Sequence, residues 1–127
     1  MTSSVTAAAR YTGVFCGRPD QVARARRQVA RHLAGCPVAD DAVVIVSELA
    51  TNAVLHSHSA GQFFTVRCEL FRGYARVECE DLGGPWHSRA GDDRPHGLSI
   101  IGALAGSGNW GIEGSDHGRV AWARLSW

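Results

Sequence analysis

The chain has 127 residues and a formal net charge of +1, and all thirteen of its basic residues are arginine. The absence of lysine excludes a P-loop, whose lysine contacts the phosphates, and a pyridoxal phosphate enzyme, whose lysine forms the Schiff base. A net charge near zero argues against a general nucleic-acid binder, which carries a clear basic excess. Residues 1–9 are small and polar and are predicted to be disordered, and residues 10–127 fit one domain.

After a short edge strand predicted at residues 11–16, a helix is predicted to begin at Pro19 and to end before Gly35. Its apolar residues recur at three- and four-residue steps and are Val22, Ala25, Val29 and Leu33. Arginines occupy its other faces, at positions 24, 26, 27 and 31. They fit either a solvated basic face or a docking surface for an acidic partner.

A second helix is predicted from about Asp40 to about His56, with apolar residues at helical spacing on most of its surface. Glu48 and Asn52 interrupt this pattern four residues apart, so their side chains share one face of the helix. A carboxylate and an amide that face a pocket could bind a hydrated Mg²⁺ and orient a nucleophile. A helix face that reaches solvent is the alternative.

The period then changes to two, and residues 64–70 and 75–79 are predicted to form a β-hairpin around Arg72-Gly73. A long loop at residues 82–97 leads to a third helix from Leu98 to about residue 105. A last hairpin follows, with strands near residues 109–113 and 119–125. Helices on one face of an antiparallel sheet make this an α+β fold, a two-layer sandwich with about three helices.

Two further features flank the long loop. Asp81 ends a predicted strand and precedes Gly83 and Gly84, so its carboxylate could accept hydrogen bonds at the floor of a pocket. The two glycines let the backbone approach a ligand or take positive φ. Gly97 lies at the start of the third helix, where free N–H groups suit a phosphate. An ordinary Asp-Gly turn and an ordinary helix start are the alternatives.

The four cysteines lack a C-x-x-C pair and are widely spaced, which argues against a zinc site or a disulfide framework. Cys68 and Cys79 lie in alternating segments and are expected to be small buried hydrophobic residues. With no secretory signal pattern and no apolar run long enough to span a bilayer, we expect a reduced, cytoplasmic protein without a membrane partner.

Together these features resemble the Bergerat-type ATP-binding fold of gyrase B subunits, heat-shock chaperones, MutL proteins and histidine kinases. Within it, the chain is most similar to the anti-sigma regulatory factor serine kinases and to short ATP-binding regulators of actinomycetes. The resemblance covers about residues 11–125. The motifs that carry it are E-L-A-T-N-A-V-L-H-S at 48–57, D-L-G-G at 81–84, H-G-L-S-I-I-G-A-L-A at 96–105, N-W-G at 109–111 and G-R-V-A-W-A-R-L at 118–125.

The resemblance implies a role for each matching residue. Asn52 corresponds to the asparagine that coordinates Mg²⁺, and Glu48 to the glutamate that acts as general base toward a water or an incoming serine hydroxyl. Asp81 corresponds to the aspartate that accepts the adenine amino group. Gly83 and Gly84 correspond to the turn beneath the base.

The same resemblance places the ATP lid at about residues 87–96. Gly97 and Leu98 correspond to the second glycine box, whose backbone N–H groups contact the phosphates. Arg89 and Arg94, both in the lid, are the nearby side-chain cations that could contact the γ-phosphate, since the chain has no lysine.

The resemblance further implies ATP and Mg²⁺ as ligands, and a sigma factor, an anti-sigma-factor antagonist, or both as protein partners. The chemistry would be phosphoryl transfer to a serine of the antagonist, which demands mainly positioning and charge neutralisation. Direct nucleic-acid contact is not expected, and a homodimer is compatible with the family.

Three departures from the family pattern leave an alternative open. Pro85 replaces the last glycine of the first box, His96 replaces the first glycine of the second, and the usual Gly-Thr of the last hairpin reads Gly118-Arg119. These changes reduce the nucleotide-binding glycines without removing the polar residues. The alternative is a non-catalytic, nucleotide-responsive interaction module with the same fold.

Overall fold

The computed structural model describes residues 7–84, 98–115 and 117–127 of the chain. In chain order the elements are β1 (Ala9–Cys16), α1 (Pro19–His32), α2 (Ala39–His56), β2 (Phe63–Phe71), β3 (Tyr74–Asp81), α3 (Leu98–Ala105), β4 (Trp110–Ser115) and β5 (Gly118–Ser126). The three helices and both hairpins predicted from the sequence are present.

The five strands form one antiparallel sheet in the order β1-β2-β3-β5-β4, so β3 is central and pairs with β5 from the far end of the chain. Alternate residues of β2 and β3 are buried, and the helices pack on that face. The predicted α+β two-layer fold is therefore confirmed.

The core lies between the sheet and α2, which contacts α1, α3 and three of the strands. Eight residues of α2 are buried, a larger number than one apolar stripe would give, because the helix is enclosed on several sides. Phe64 of β2 and Phe15 of β1 stack in this core with ring centroids 5.5 Å apart. Their burial removes two aromatic side chains from water and anchors the edge strand β1.

The opposite face of the sheet is polar and carries ion pairs between neighbouring strands. Arg67 of β2 contacts Glu78 at 3.0 Å and Glu80 at 2.6 Å, and Arg76 also pairs with Glu78. These side chains are partly exposed, so each pair contributes little to stability. Their alternation with buried residues fixes which face of each strand meets the helices.

Two strand boundaries differ from the sequence-based prediction. The first strand begins at Ala9 instead of residue 11, because Ala9 continues the ladder opposite Leu70. The last hairpin has a tighter turn than predicted, since Gly114 remains in β4 opposite Arg119. A Cβ on Gly114 would lie 2.2 Å from the Gly118 carbonyl oxygen, and its φ is 123°, so this position requires glycine.

Cys68 and Cys79 are buried, as predicted, and all four cysteines are free thiols. Burial raises the pKa of the Cys68 thiol to about 11. Burial raises the pKa of Cys79 further, and the neighbouring Asp81 carboxylate adds to the effect. In the described part of the chain, every helix is too short or too polar to cross a membrane.

Adjacent phenylalanines on β2 provide a matched test of this core. Phe64 is 0% exposed and Phe63 is 47% exposed. We expect Phe64→Ala to lower the free energy of unfolding by about 3–5 kcal/mol, because it removes a core ring and leaves a cavity. Phe63→Ala should cost less than about 1 kcal/mol. Urea denaturation of both variants measures the difference, and equal losses would contradict the assigned strand register.

The cysteines should differ in reactivity. Cys16 is exposed, whereas Cys68 and Cys79 are buried with raised pKa values. At pH 8 a thiol with a pKa near 11 is about one part in a thousand thiolate, and the thiolate is the nucleophile. Brief iodoacetamide treatment followed by mass spectrometry should label Cys16 before either buried thiol. Treatment in urea, as the control, should label all three, and native labelling of Cys79 at the rate of Cys16 would contradict the described burial.

Candidate functional site

The polar residues of α2 differ in burial. Asn52 is completely buried, whereas Glu48, one turn earlier on the helix, is half-buried. The helix packs against β3 and α3, the elements that carry or adjoin the other candidate residues. The arrangement therefore puts an amide at the interior of the helix layer and a carboxylate near its surface, on consecutive turns.

Asp81 is the last residue of β3, and its side chain is only 4% exposed. Strand alternation places it on the same face as the buried residues Ala75, Val77 and Cys79, the side on which α2 packs. Its Oδ1 atom accepts a hydrogen bond of 2.7 Å from the N–H of Gly83. The carboxylate thus stabilises the turn that follows it and faces the helix layer.

Gly83 and Gly84 form that turn with left-handed φ values of 78° and 87°. Residues with a Cβ rarely adopt this conformation, so the two glycines set the course of the chain after Asp81. A Cβ on Gly84 would also lie 2.6 Å from Nε2 of His58, which leaves no room for a side chain. The positive φ that the sequence analysis allowed for these glycines is present, and the close neighbour of Gly84 is His58 of the same chain.

The segment after α2 holds the same turn from the other side. The backbone N–H of His58 donates to the Gly83 carbonyl oxygen at 2.9 Å, and the N–H of Leu82 donates to the hydroxyl oxygen of Ser59, also at 2.9 Å. Ser59 is completely buried. The helix that carries Glu48 is therefore tied by hydrogen bonds to the turn after Asp81.

Sequence reasoning missed this role of Ser59. A buried hydroxyl that accepts a backbone N–H from a distant segment has no periodic signal. The one available sign was a serine three residues beyond the end of α2, where Ser57 and Ser59 lie in a short connection.

Arg119 joins the site from β5, where it lies directly opposite Asp81 in the strand ladder. Its Nη1 donates to the Gly84 carbonyl oxygen at 2.7 Å, and its Nη2 lies 3.4 Å from Oδ2 of Asp81. The side chain is 13% exposed. The sequence analysis treated this position only as a departure from the usual Gly-Thr, and the strand pairing gives it a place in the site.

The third helix begins at Leu98, as predicted, and Leu98 is partly buried against the core. This helix packs against α2, β4 and β5. Arg89, Arg94 and Gly97, which were predicted to contact phosphate, lie outside the described residues, as do Pro85 and His96. The structure therefore brings together α2, the end of β3 and Arg119, and it does not test the predicted lid.

A separate groove of about 240 Å³ lies between α1 and α2. Its lining includes Arg26, which contacts the hydroxyl of Ser47 at 3.4 Å. On the same helix, the Arg24 guanidinium lies 5.8 Å from the centre of the Phe15 ring. Two of the four arginines assigned to a basic face thus also make contacts within the chain.

In the described ranges, no group of three or more histidine, cysteine or acidic residues could hold a metal.

A comparison with models of protein families identifies the family to which this sequence is similar. The family model described as "Histidine kinase-like ATPase domain" matches residues 15–113, a range that contains α2, Asp81 and the glycine turn. No protein in the curated collection that was searched matches the chain.

A solved structure, the crystal structure of the RsbU and RsbW domains of Rv1364c from Mycobacterium tuberculosis, has the same fold with a TM-score of 0.73. The two chains are 20% identical, and the match covers 93% of this chain and 32% of that one. This chain therefore spans about a third of the protein that it resembles in structure. Because the family match extends over most of the sequence and includes the site, the chain belongs to the histidine kinase-like ATPase domain family.

Proposed function

We propose that this protein binds ATP and acts as an anti-sigma-type protein serine kinase, which regulates transcription through a protein partner. The observation that carries the proposal is the buried Asp81 carboxylate at the end of β3, followed by two left-handed glycines and packed beneath the helix that bears Asn52. Membership of the ATPase domain family supports ATP as the ligand.

Asp81 would read the adenine. A carboxylate is an acceptor only, so it fits an exocyclic amino group and disfavours a carbonyl oxygen. Its Oδ1 is fixed by the Gly83 N–H, which holds the orientation of the carboxylate before ligand arrives. The absence of side chains at Gly83 and Gly84 leaves the base close to the backbone.

Mg²⁺ would be held at the phosphates by Asn52, whose amide oxygen is the kind of hard ligand that this ion prefers. The donor set fits, since Mg²⁺ is usually bound by one or two protein oxygens together with substrate phosphates. When bound, the ion supplies neutralisation of phosphate charge. The N–H groups at Gly97 and Leu98 would contact the phosphates, and Arg89 and Arg94 would supply positive side chains near the γ-phosphate.

Glu48 would act as the general base. Its half-buried carboxylate stands one helical turn from Asn52, so it can lie near a bound phosphate and still reach an incoming partner. It would accept the proton of a serine hydroxyl as that oxygen bonds to the γ-phosphorus of ATP, while the bond from this phosphorus to the bridging oxygen breaks and ADP leaves. The proposed partners are a sigma factor, an anti-sigma-factor antagonist, or both, in the cytoplasm.

Replacement of the Asp81 carboxylate, which is proposed to contact adenine, should weaken the binding of ATP. Asp81→Asn places an N–H donor against the adenine amino group, and we expect about a 10- to 100-fold rise in Kd, measured by isothermal titration with ATP and Mg²⁺. Glu80→Gln is the matched control, because Glu80 precedes Asp81 on β3 but pairs with Arg67 on the opposite face. Absence of any binding by the unaltered protein at millimolar ATP would contradict the proposal.

Replacement of Glu48, the proposed general base, should leave ATP binding intact and impair phosphoryl transfer. Glu48→Gln should retain ATP affinity within about threefold and lose phosphorylation of the partner by about 10²- to 10⁴-fold. A pull-down with and without ATP, followed by phosphosite mapping, supplies the substrate for this assay. Glu113→Gln on the exposed edge strand β4 is the control. A Glu48→Gln protein that regulates its partner like the unaltered protein, with no phosphosite found, would establish the non-catalytic module instead.

A further inference from the structure

We propose that Arg119 is a specificity-determining residue of the base pocket, which donates a hydrogen bond to N1 of adenine beside the Asp81 carboxylate. This inference rests on the proposed function, since it requires ATP with its adenine at Asp81. It adds a second reading group, from a different strand, to the single carboxylate considered above.

The strand ladder fixes the direction of the Arg119 side chain. Residues 121, 123 and 125 of β5 are buried toward the helices, and Arg119 shares their alternation. Arg119 and Asp81 are directly paired, so both side chains leave the sheet on the same face. The guanidinium therefore stands in the layer where the base would lie, and away from the ion pairs of the outer face.

Two contacts of unequal length position the guanidinium. The bond from Nη1 to the Gly84 carbonyl oxygen is 2.7 Å and fixes the group, whereas the approach of Nη2 to Oδ2 of Asp81 is 3.4 Å, near the outer limit of a hydrogen bond. The carboxylate and the guanidinium thus stand next to each other as an acceptor and a donor. A planar guanidinium has five N–H donors in a rigid fork, so it can contact a carbonyl, a carboxylate and a base atom together.

This pair matches the Watson–Crick edge of adenine. Adenine presents an amino donor at N6 beside an acceptor at N1, which complement the carboxylate of Asp81 and an N–H of Arg119. Guanine presents an acceptor at O6 beside a donor at N1, so the same placement would bring oxygen to the carboxylate and N–H to the guanidinium. Asp81 together with Arg119 therefore distinguishes the two purines at two neighbouring atoms.

The first experiment uses the unaltered protein and a ligand that lacks one atom. In 1-deaza-ATP a CH group replaces N1, and the amino group, ribose and triphosphate remain. Isothermal titration with Mg²⁺ should show 1-deaza-ATP binding at least about tenfold more weakly than ATP, the usual consequence of losing a hydrogen bond to a charged donor. Equal affinities would overturn the role of Arg119 and leave ATP binding intact. No binding of either nucleotide would overturn this inference and the proposed function together.

The second experiment assigns the effect to the residue. In Arg119→Met, which keeps length without a donor, the ratio of the two affinities should fall to within about twofold of one, even if both nucleotides bind more weakly. Arg119→Lys retains a donor and should keep part of the ratio. Arg124→Met, an exposed position on the same strand, is the matched control and should keep all of it.

If Arg119 had only a structural role, the result would differ. Its loss would weaken the binding of ATP and of 1-deaza-ATP alike, and the ratio of the two affinities would stay as in the unaltered protein. That outcome overturns the inference. Removal of one partner from a buried ion pair can unfold a domain, so each variant is first compared by thermal denaturation. The ligand comparison on the unaltered protein decides the question even where Arg119→Met fails to fold.

Discussion

The antiparallel pairing of β3 with β5 is the contact on which the fold and the site both depend. It joins strands that are 38 residues apart at Asp81 and Arg119 and places β3 at the centre of the sheet. Such a pairing closes a long stretch of chain and therefore costs conformational entropy. Many contacts that form together must offset this cost. Those contacts include the inward rows of both strands, against which α2 packs.

The same pairing provides the buried Asp81 carboxylate with a charged partner on the neighbouring strand. A carboxylate removed from water is costly unless it is paired and hydrogen-bonded, and Asp81 has both the Gly83 N–H and the Arg119 guanidinium. The two contacts connect strand, turn and opposite strand around one side chain. Ser59 adds a bond from the segment after α2, so the helix of the proposed catalytic residues and the proposed base pocket form one hydrogen-bonded unit.

Most of the secondary structure could be predicted from the sequence, because it follows from local periodicity. The start of α1 at Pro19 and the bounds of α3 agree with the structure, and the alternation of residues 64–70 predicted which side chains of β2 are buried. The boundaries that moved are those set by a partner strand. Ala9 joins β1 because Leu70 is opposite, and Gly114 remains in β4 because Arg119 is opposite.

The sequence by itself determined the fold class and the chemistry of the candidate residues, since a polar residue in an apolar helix and an Asp before two glycines are visible as local patterns. Only the tertiary structure decided which of them meet. The position of Arg119 appeared in the sequence as a missing threonine, yet the strand order makes it the direct neighbour of Asp81. Ser59 is likewise not distinguished from the other serines in the sequence, and only the structure shows that its hydroxyl accepts a hydrogen bond from the turn after Asp81. Strand order and register depend on contacts distant in sequence, and no local pattern records them.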